Sequence, residues 1–357
     1  MTETLEKREK LLGKLFSRGI PQLWCPLLAH YTHEGEIDFD RMEAHLAHVS
    51  TWVKGYLIPG STGDGWELND TETSFMVDFA LKQARKLDVS LLLGVLKPSV
   101  TAMKDTISWA LQKVHDAGLF DTTEALIPAG VCGFTICPPS GESLSQNEIA
   151  EGLSSILDMG LPMALYQLPQ VTGNEVSPET FINLVQSYAN LILFKDTSGT
   201  DRIATACHDM GGVFLVRGAE GHYARWLKNA GGPYDGFLLS TANCFSSLLA
   251  SMIRLVENGD NARAQEISDH LALAVGEVFG LVESFPQGNM FTNANKAIDR
   301  YMAYGPSASQ KDGPMLHAGV RLPESIIGPT GEILSRFKLM PAEGYLLQGL
   351  ASPPLPA

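Results

Sequence analysis

The chain has 357 residues, 45% of them hydrophobic and 18% charged, enough apolar mass for a large core, which excludes disordered and fibrous classes. Lys and Arg number 26 against 40 Asp and Glu, a formal net charge of −14, and a field of that sign repels phosphate backbones and anionic lipid. No nucleic-acid or membrane partner is expected, and a site for a small acid must supply its own local donors.

Five cysteines (Cys25, Cys132, Cys137, Cys207 and Cys244) are scattered without C-x-x-C spacing, a pattern that builds neither a zinc site nor a disulfide framework and favours a reducing compartment. Residues 1–18 mix Glu, Lys and Arg with leucines and lack the apolar stretch of a signal peptide, so an exposed amphipathic helix is predicted there. The longest apolar stretch, residues 271–282, is interrupted by Glu277 and too short for a bilayer. A cytoplasmic protein is expected.

From residue 22 onward, short apolar runs alternate with segments of helical periodicity, the rhythm of a parallel sheet with crossover helices. The runs fall at residues 22–29, 55–59, 90–96, 133–137, 163–168, 191–194, 213–216 and 236–239. Helix starts lie between them: Asp38 before 41–53, Asn69 and Asp70 before 71–87, and Ser177-Pro178-Glu179 before 181–188. Eight such units over roughly 230 residues favour closure into an α/β (β/α)8 TIM barrel over an open doubly wound sheet. The spacing breaks once, where residues 119–132 follow a complete helix pattern at 101–117 and read as an insertion. Beyond Ala242, residues 245–257, 261–283 and 289–304 are predicted helical, followed by a Pro- and Gly-punctuated tail ending in PPLPA. This divides the chain into an N-terminal helical extension (1–20), the barrel (21–256) and a C-terminal helical region with its tail (257–357).

In such a barrel, reactive groups lie at the carboxyl ends of the strands. The second run leads into Gly60-Ser61-Thr62-Gly63-Asp64-Gly65, the fifth carries Tyr166, the sixth ends at Lys195 and the seventh at residues 217–220. Lys195 follows Leu191-Ile192-Leu193-Phe194. An amine placed there is desolvated toward the neutral nucleophile that forms Schiff bases with carbonyl substrates. A lysine that snorkels to solvent or pairs with Asp196 fits the same position, and Lys97 stands similarly after the third run. Alternation aims Tyr166 into the barrel on the adjacent strand, either as a proton carrier or as a core tyrosine with a satisfied hydroxyl. The backbone N–H groups of residues 60–65, with the Ser61 and Thr62 hydroxyls, suit a carboxylate; a purely structural turn has the same sequence.

Taken in order, Gly60-Ser61-Thr62-Gly63-Asp64, Tyr166-x-x-Pro169 with Thr172-Gly173, Phe194-Lys195-Asp196-Thr197-Ser198-Gly199, and Gly236 through Thr241-Ala242-Asn243 carry a resemblance. The chain resembles the dihydrodipicolinate synthase / N-acetylneuraminate lyase family over about residues 21–256, including Gly35-Glu36-Ile37-Asp38. The resemblance implies a class I barrel enzyme without metal or cofactor that holds pyruvate or another 2-keto acid as an imine on Lys195. It gives Tyr166 the proton transfer. Ser61 and Thr62, next to Gly60, would contact the carboxylate and link to the tyrosine hydroxyl; Gly236 and Leu238 would line the pocket floor. It also implies a homodimer or homotetramer.

Two departures bear on the substrate. Where the synthases of this family carry a tyrosine after the fourth strand, contributed across a subunit interface, this chain reads Cys137-Pro138-Pro139-Ser140-Gly141. Where they carry an arginine five residues after the strand-five tyrosine, it has Val171, and an apolar side chain cannot replace a bidentate guanidinium. Dihydrodipicolinate synthesis is therefore disfavoured, and an aldolase, lyase or dehydratase acting on another 2-keto acid is expected. Val171, Trp66, Phe134 and the insertion suit an aromatic or apolar aldehyde as second substrate, whereas Gln167, Thr197, Glu220, His222 and Asn243 suit a sugar acid; the sequence leaves both open. A metal-dependent aldolase finds no H-x-H or H-E-x-x-H at a strand end, since His30, His33, His45 and His48 cluster early and the last two are expected on an exposed helix. A non-catalytic 2-keto-acid-binding or scaffold protein is compatible with the missing tyrosine and arginine, although Lys195 and Tyr166 remain.

Overall fold

Eight parallel strands close on themselves in the computed structural model, which describes residues 3–116, 123–206 and 209–347. They are β1 (Leu23–Pro26), β2 (Gly55–Ile58), β3 (Ser90–Val95), β4 (Val131–Ile136), β5 (Met163–Gln167), β6 (Leu191–Asp196), β7 (Phe214–Arg217) and β8 (Gly236–Leu238). The ring is sealed where β8 pairs with β1, Leu23 opposite Phe237 and Trp24 opposite Leu238. The expected TIM barrel is present, and each apolar run overlaps its strand. Parallel strands are covered on both faces, which is why these runs are apolar throughout instead of alternating.

Helices α1 (Glu3–Leu15), α2 (Phe39–Val49), α3 (Asp70–Leu87), α4 (Val100–Asp116), the single turn α5 (Thr123–Leu126), α6 (Gln146–Leu157), α7 (Pro169–Thr172), α8 (Pro178–Ser187), α9 (Arg202–Ala206) and α10 (Ala242–Glu257) precede three C-terminal helices. These are α11 (Asn261–Val282), α12 (Met290–Tyr304) and α13 (Glu324–Arg336). The starts are capped as the sequence signals. The Asp38 carboxylate accepts the Arg41 N–H, Asn69 and Glu72 form a capping box on α3, and Ser177 caps α8 ahead of Pro178, each worth about 1 kcal/mol. Between β7 and β8 the chain makes two 3-10 turns, Ala224–Trp226 and Lys228–Ala230, in place of a full helix.

Three expectations need correction. Helix α1 is amphipathic but not exposed: it lies across the amino-terminal end of the barrel, where Phe16 meets Trp24 edge-on and Leu11, Leu12 and Leu15 pack on the interior cluster. Its buried Arg8 donates from Nε to Leu191 O at 2.8 Å, from Nη2 to Val185 O at 2.6 Å and Tyr188 O at 2.7 Å, and from Nη1 to Gly211 O. The supposed insertion is mostly built into the barrel wall. Leu126 and Ala129 are buried, the turn Ile127–Ala129 packs on α3, and Cys132 belongs to β4; residues 117–122 lie outside the described residues, as do Cys207 and the PPLPA end. The C-terminal tail contains α13, disguised by Pro329 and Gly331. That glycine is required because a Cβ would stand 2.5 Å from Tyr301 Oη, whose hydroxyl donates to Ile327 O at 2.9 Å.

Arg8→Ala would remove a donor from four carbonyl oxygens at the base of the barrel, one of which, Tyr188 O, keeps the Leu191 N–H at 3.2 Å. The expected cost is about 3 kcal/mol, since each stranded buried acceptor forfeits its desolvation, and it is read as a lowered melting temperature and urea midpoint.

Candidate active site

Tyr166 and Lys195 are register partners on β5 and β6, and both are buried. Lys195 Nζ lies 3.8 Å from the centre of the Tyr166 ring. In the layer beneath them, Ala164, Ile192, Leu193, Val216, Leu238 and Trp24 fill the barrel with hydrocarbon. Around the phenol stand Leu96, Cys137, Leu168 and Trp66. An ammonium ion there loses its hydration without a full replacement, so burial lowers the Lys195 pKa from 10.5 to about 7, against smaller opposing effects of Cys137 and Glu220. The snorkelling alternative fails because Lys195 is 4% exposed. Pairing with Asp196 fails too, since that carboxylate accepts from the Ser198 N–H and hydroxyl and from the Tyr234 hydroxyl. Lys97, by contrast, pairs with Asp70 at 3.2 Å on the surface.

Burial also pushes the Tyr166 phenol well above its usual value of 10, and the Ser61 hydroxyl, 3.3 Å from Tyr166 Oη, pulls it back. The Trp66 indole N–H donates to the same Ser61 Oγ at 3.0 Å. Ser61 and Thr62 form a buried 3-10 turn, Ser61–Gly63, directly beyond β2. The N–H groups of Gly63, Asp64 and Gly65 close this turn on the Gly60 and Ser61 carbonyls. Helix α12 grips it from the far side: the Asn289 amide donates to Ser61 O at 3.2 Å and the Thr292 hydroxyl to Thr62 O at 3.0 Å. Lys296 Nζ stands 3.5 Å from Asp64 Oδ2, which also accepts from the Tyr31 hydroxyl at 3.0 Å.

Thr197 is buried and its Oγ1 has no hydrogen-bond partner. A Cβ on Gly218 would come within 2.2 Å of that oxygen and 2.8 Å of Lys195 Cε. Gly218, immediately after β7, is therefore the glycine that makes room for the lysine. Gly236 does not line the pocket floor as expected: a Cβ there would sit 2.2 Å from Gln22 O, at the opposite end of the barrel. Leu238 does lie in the interior layer under Lys195. Val171 is 47% exposed on α7, at the rim, and Phe134 is buried in the cluster between the barrel and its helices, not toward the mouth.

Most of the polar candidates are already engaged. Glu220 accepts from Ser240 Oγ, Thr241 N, Thr241 Oγ1 and the Tyr223 hydroxyl. Asn243 bonds Leu28 N, Pro26 O and Ser240 O, Gln167 Oε1 accepts the Val176 N–H, and His222 is exposed. Of the polar candidates, Thr197 Oγ1 and Gln167 Nε2 are buried without a hydrogen-bond partner, and the threonine hydroxyl is the one beside the lysine.

His45 is wholly buried on α2 instead of exposed. Its Nδ1 is 2.9 Å from His30 Nε2 and its Nε2 is 2.9 Å from Asn243 O, while the ligand-type atoms of His30, His45 and Asp299 lie within 4.8 Å of one another. Arg41 ion-pairs with Asp299, and the Tyr345 hydroxyl donates to Asp299 Oδ1 at 2.8 Å. The guanidinium thus supplies the positive charge this carboxylate needs. Burial keeps both imidazoles below their usual pKa of 6.5, and the cluster fastens α2 to α12.

The geometry described so far is that of a barrel with one desolvated lysine facing a phenol, and the family model named dihydrodipicolinate synthetase matches residues 20–280. The chain belongs to this family. The 4-hydroxy-tetrahydrodipicolinate synthase of Agrobacterium fabrum is 25% identical over 266 residues, 72% of this chain and 81% of that one. An uncharacterized DapA-like lyase of Rhizobium meliloti is 24% identical over 254 residues, 69% and 77% of the two chains. Among solved structures, a prophage protein of E. coli K12 from the dihydrodipicolinic acid synthase family, in complex with pyruvate, matches with a TM-score of 0.70 at 20% identity, over 90% of this chain and 99% of that one. A putative family protein from Coccidioides immitis gives 0.62 at 16% identity, over 88% and 94%. As a member of the dihydrodipicolinate synthetase family, the chain is a lyase of the Schiff-base aldolase type. No helix among the described residues is long and apolar enough to cross a membrane.

Between pH values of about 7 and 10.5 the unfolded chain holds a proton at Lys195 that the folded chain does not. Stability therefore rises with pH across that window, by up to ~1.4 kcal/mol per pH unit for this one group, and the cost of burying the amine is fully present below it. Lys195→Met should flatten this slope and stabilise the protein most below pH 7, as read from denaturant titrations at stepped pH.

Proposed function

We propose that Lys195 forms a Schiff base with pyruvate or a closely related 2-keto acid, and that the enzyme cleaves or forms the adjoining carbon–carbon bond, or dehydrates a 2-keto-3-deoxy sugar acid. The observation that carries this reading is the buried amine with a pKa of about 7 lying 3.8 Å from the Tyr166 ring centre. The neutral nitrogen attacks the keto carbon, one proton passes from nitrogen to the keto oxygen and a second comes from the Tyr166 hydroxyl, and water leaves, giving a protonated imine and a Tyr166 phenolate. In cleavage this imine takes up the electron pair of the neighbouring carbon–carbon bond and becomes an enamine, while the phenolate accepts the proton of the distal hydroxyl as the aldehyde departs. Condensation runs the same steps backward. A proton transfer positioned in this way is worth about 10²–10⁴-fold.

The carboxylate of the 2-keto acid is assigned to the Ser61 and Thr62 hydroxyls, the local donors that a net charge of −14 makes necessary. The idle Thr197 hydroxyl beside Lys195 is assigned to an oxygen of the bound substrate, since a buried hydroxyl without a partner forfeits its solvation. The pyruvate bound to the E. coli prophage protein supports the same first substrate here. For the second substrate, Val171 at the rim offers no cation for a further carboxylate, so an aldehyde or sugar-acid partner is favoured over 4-hydroxy-tetrahydrodipicolinate synthesis. Assembly as a homodimer or homotetramer and residence in the cytoplasm belong to the same proposal; the free thiols at Cys25, Cys132, Cys137 and Cys244 agree with a reducing compartment.

Borohydride reduction with a panel of 2-keto acids should add to one peptide containing Lys195 the mass of the keto acid less water plus two hydrogens, with a trapping rate that rises with pH through about 7 and then levels off. Lys195→Ala should trap nothing, and Tyr166→Phe should still trap while losing about 10²–10⁴-fold in turnover. An unmodified mass with every keto acid tried sinks the proposal.

A further inference from the structure

The Trp66 ring packs with Leu96, Cys137, Tyr166 and Leu168 at the barrel mouth, and its Nε1 lies 3.0 Å from Ser61 Oγ. Ser61 Oγ in turn lies 3.3 Å from Tyr166 Oη. The three side chains thus form one hydrogen-bonded row whose members differ in what they can do. An indole N–H only donates, a serine hydroxyl has one proton and two lone pairs, and a phenol can donate or accept. Trp66 occupies one lone pair of Ser61 permanently. Ser61 keeps one lone pair, which accepts the Tyr166 O–H, and one proton, which goes to a bound carboxylate or, once Tyr166 is ionised, to the phenolate.

That asymmetry gives the row a direction. When Tyr166 gives up its proton, Ser61, 3.3 Å away, answers by turning its O–H toward the phenolate, and the fixed N–H behind it polarises that hydroxyl and strengthens the donation. Without the indole N–H, the serine hydroxyl is free to rotate among its staggered positions, and the donation is available only part of the time. We propose that Trp66 is a positioning residue that holds Ser61 so that its proton serves the Tyr166 oxygen, and thereby tunes the proton affinity of Tyr166 in the reaction. The surroundings make such help necessary, because burial opposes the phenolate and the Ser61 hydroxyl, ahead of that of Thr197, counters it. All three residues belong to one subunit. This inference rests on the Schiff-base reading above.

The test uses Trp66→Phe, which keeps an aromatic plane against Leu96 and Leu168 but removes the N–H, and Trp66→His, which returns a ring N–H. Three measurements are made on the full chain: borohydride trapping of pyruvate, exchange of pyruvate methyl protons with solvent deuterium followed by NMR across pH, and thermal melting, with Tyr166→Phe calibrating how much of the exchange passes through the phenol. The expected result is that Trp66→Phe melts and traps like the wild type, yet exchanges about tenfold more slowly, the strength of one hydrogen bond, with its basic limb moved to higher pH. Trp66→His should recover part of both. Wild-type exchange with an unchanged pH profile in Trp66→Phe overturns the proposal, and so does loss of trapping in that variant, which would make Trp66 a support of the whole pocket. Absence of trapping in the wild type removes the Schiff-base reading itself, visibly and before any variant is compared, and this inference falls with it.

Discussion

The cost of keeping one amine out of water organises this molecule. A lysine at the inner end of β6 is neutral near pH 7 only if every neighbour refuses it hydration and no carboxylate takes it as a partner. The barrel meets both conditions. Its interior layer of Leu193, Val216, Leu238 and Trp24 is dry, and the carboxylate next in sequence, Asp196, is turned to Ser198 and Tyr234. Glu220, whose charge favours the ammonium, is held by Ser240, Thr241 and Tyr223. The site therefore has acids close at hand, yet none forms a salt bridge with the lysine.

The two ends of the barrel are closed by segments from opposite ends of the chain. Helix α1 seals the base, and Arg8 satisfies carbonyls at the start of β6 and around α8 that the barrel's own ladder leaves over. Helix α12 reaches the mouth and holds the carbonyls of the Ser61–Thr62 turn. Hydrogen bonds from buried donors to backbone oxygens fix position, and the carbonyls they satisfy offset the side-chain freedom that is lost. The chemistry is thus carried by few residues, and their placement by many.

Much of the barrel could be read from the sequence because its signals are local. Eight apolar runs, capped helix starts at Asp38, Asn69 and Ser177, and a lysine and a tyrosine on consecutive strands each depend on neighbours a few residues away. The features hidden in the sequence depend on distant partners. Gly236 opens β8 at the amino-terminal end, against Gln22, whereas Gly218 follows β7 at the carboxyl end, and its closeness to Lys195 depends on packing between strands. His45 lies on an amphipathic helix like any other, and its burial follows from His30, Asn243 and Asp299 arriving from elsewhere in the chain. The bond from Trp66 to Ser61 spans five positions of an irregular loop, where no periodicity marks it. The amphipathic pattern of α1 was plain, but nothing in it said that the barrel base would cover its apolar face.

The grip of α12 on the Ser61–Thr62 turn crosses more than 200 positions of sequence, as the bond from Asn289 to Ser61 shows. A chain cut ahead of residue 289 would therefore retain all eight strands and Lys195 but lose both side-chain donors that brace the Ser61 and Thr62 carbonyls.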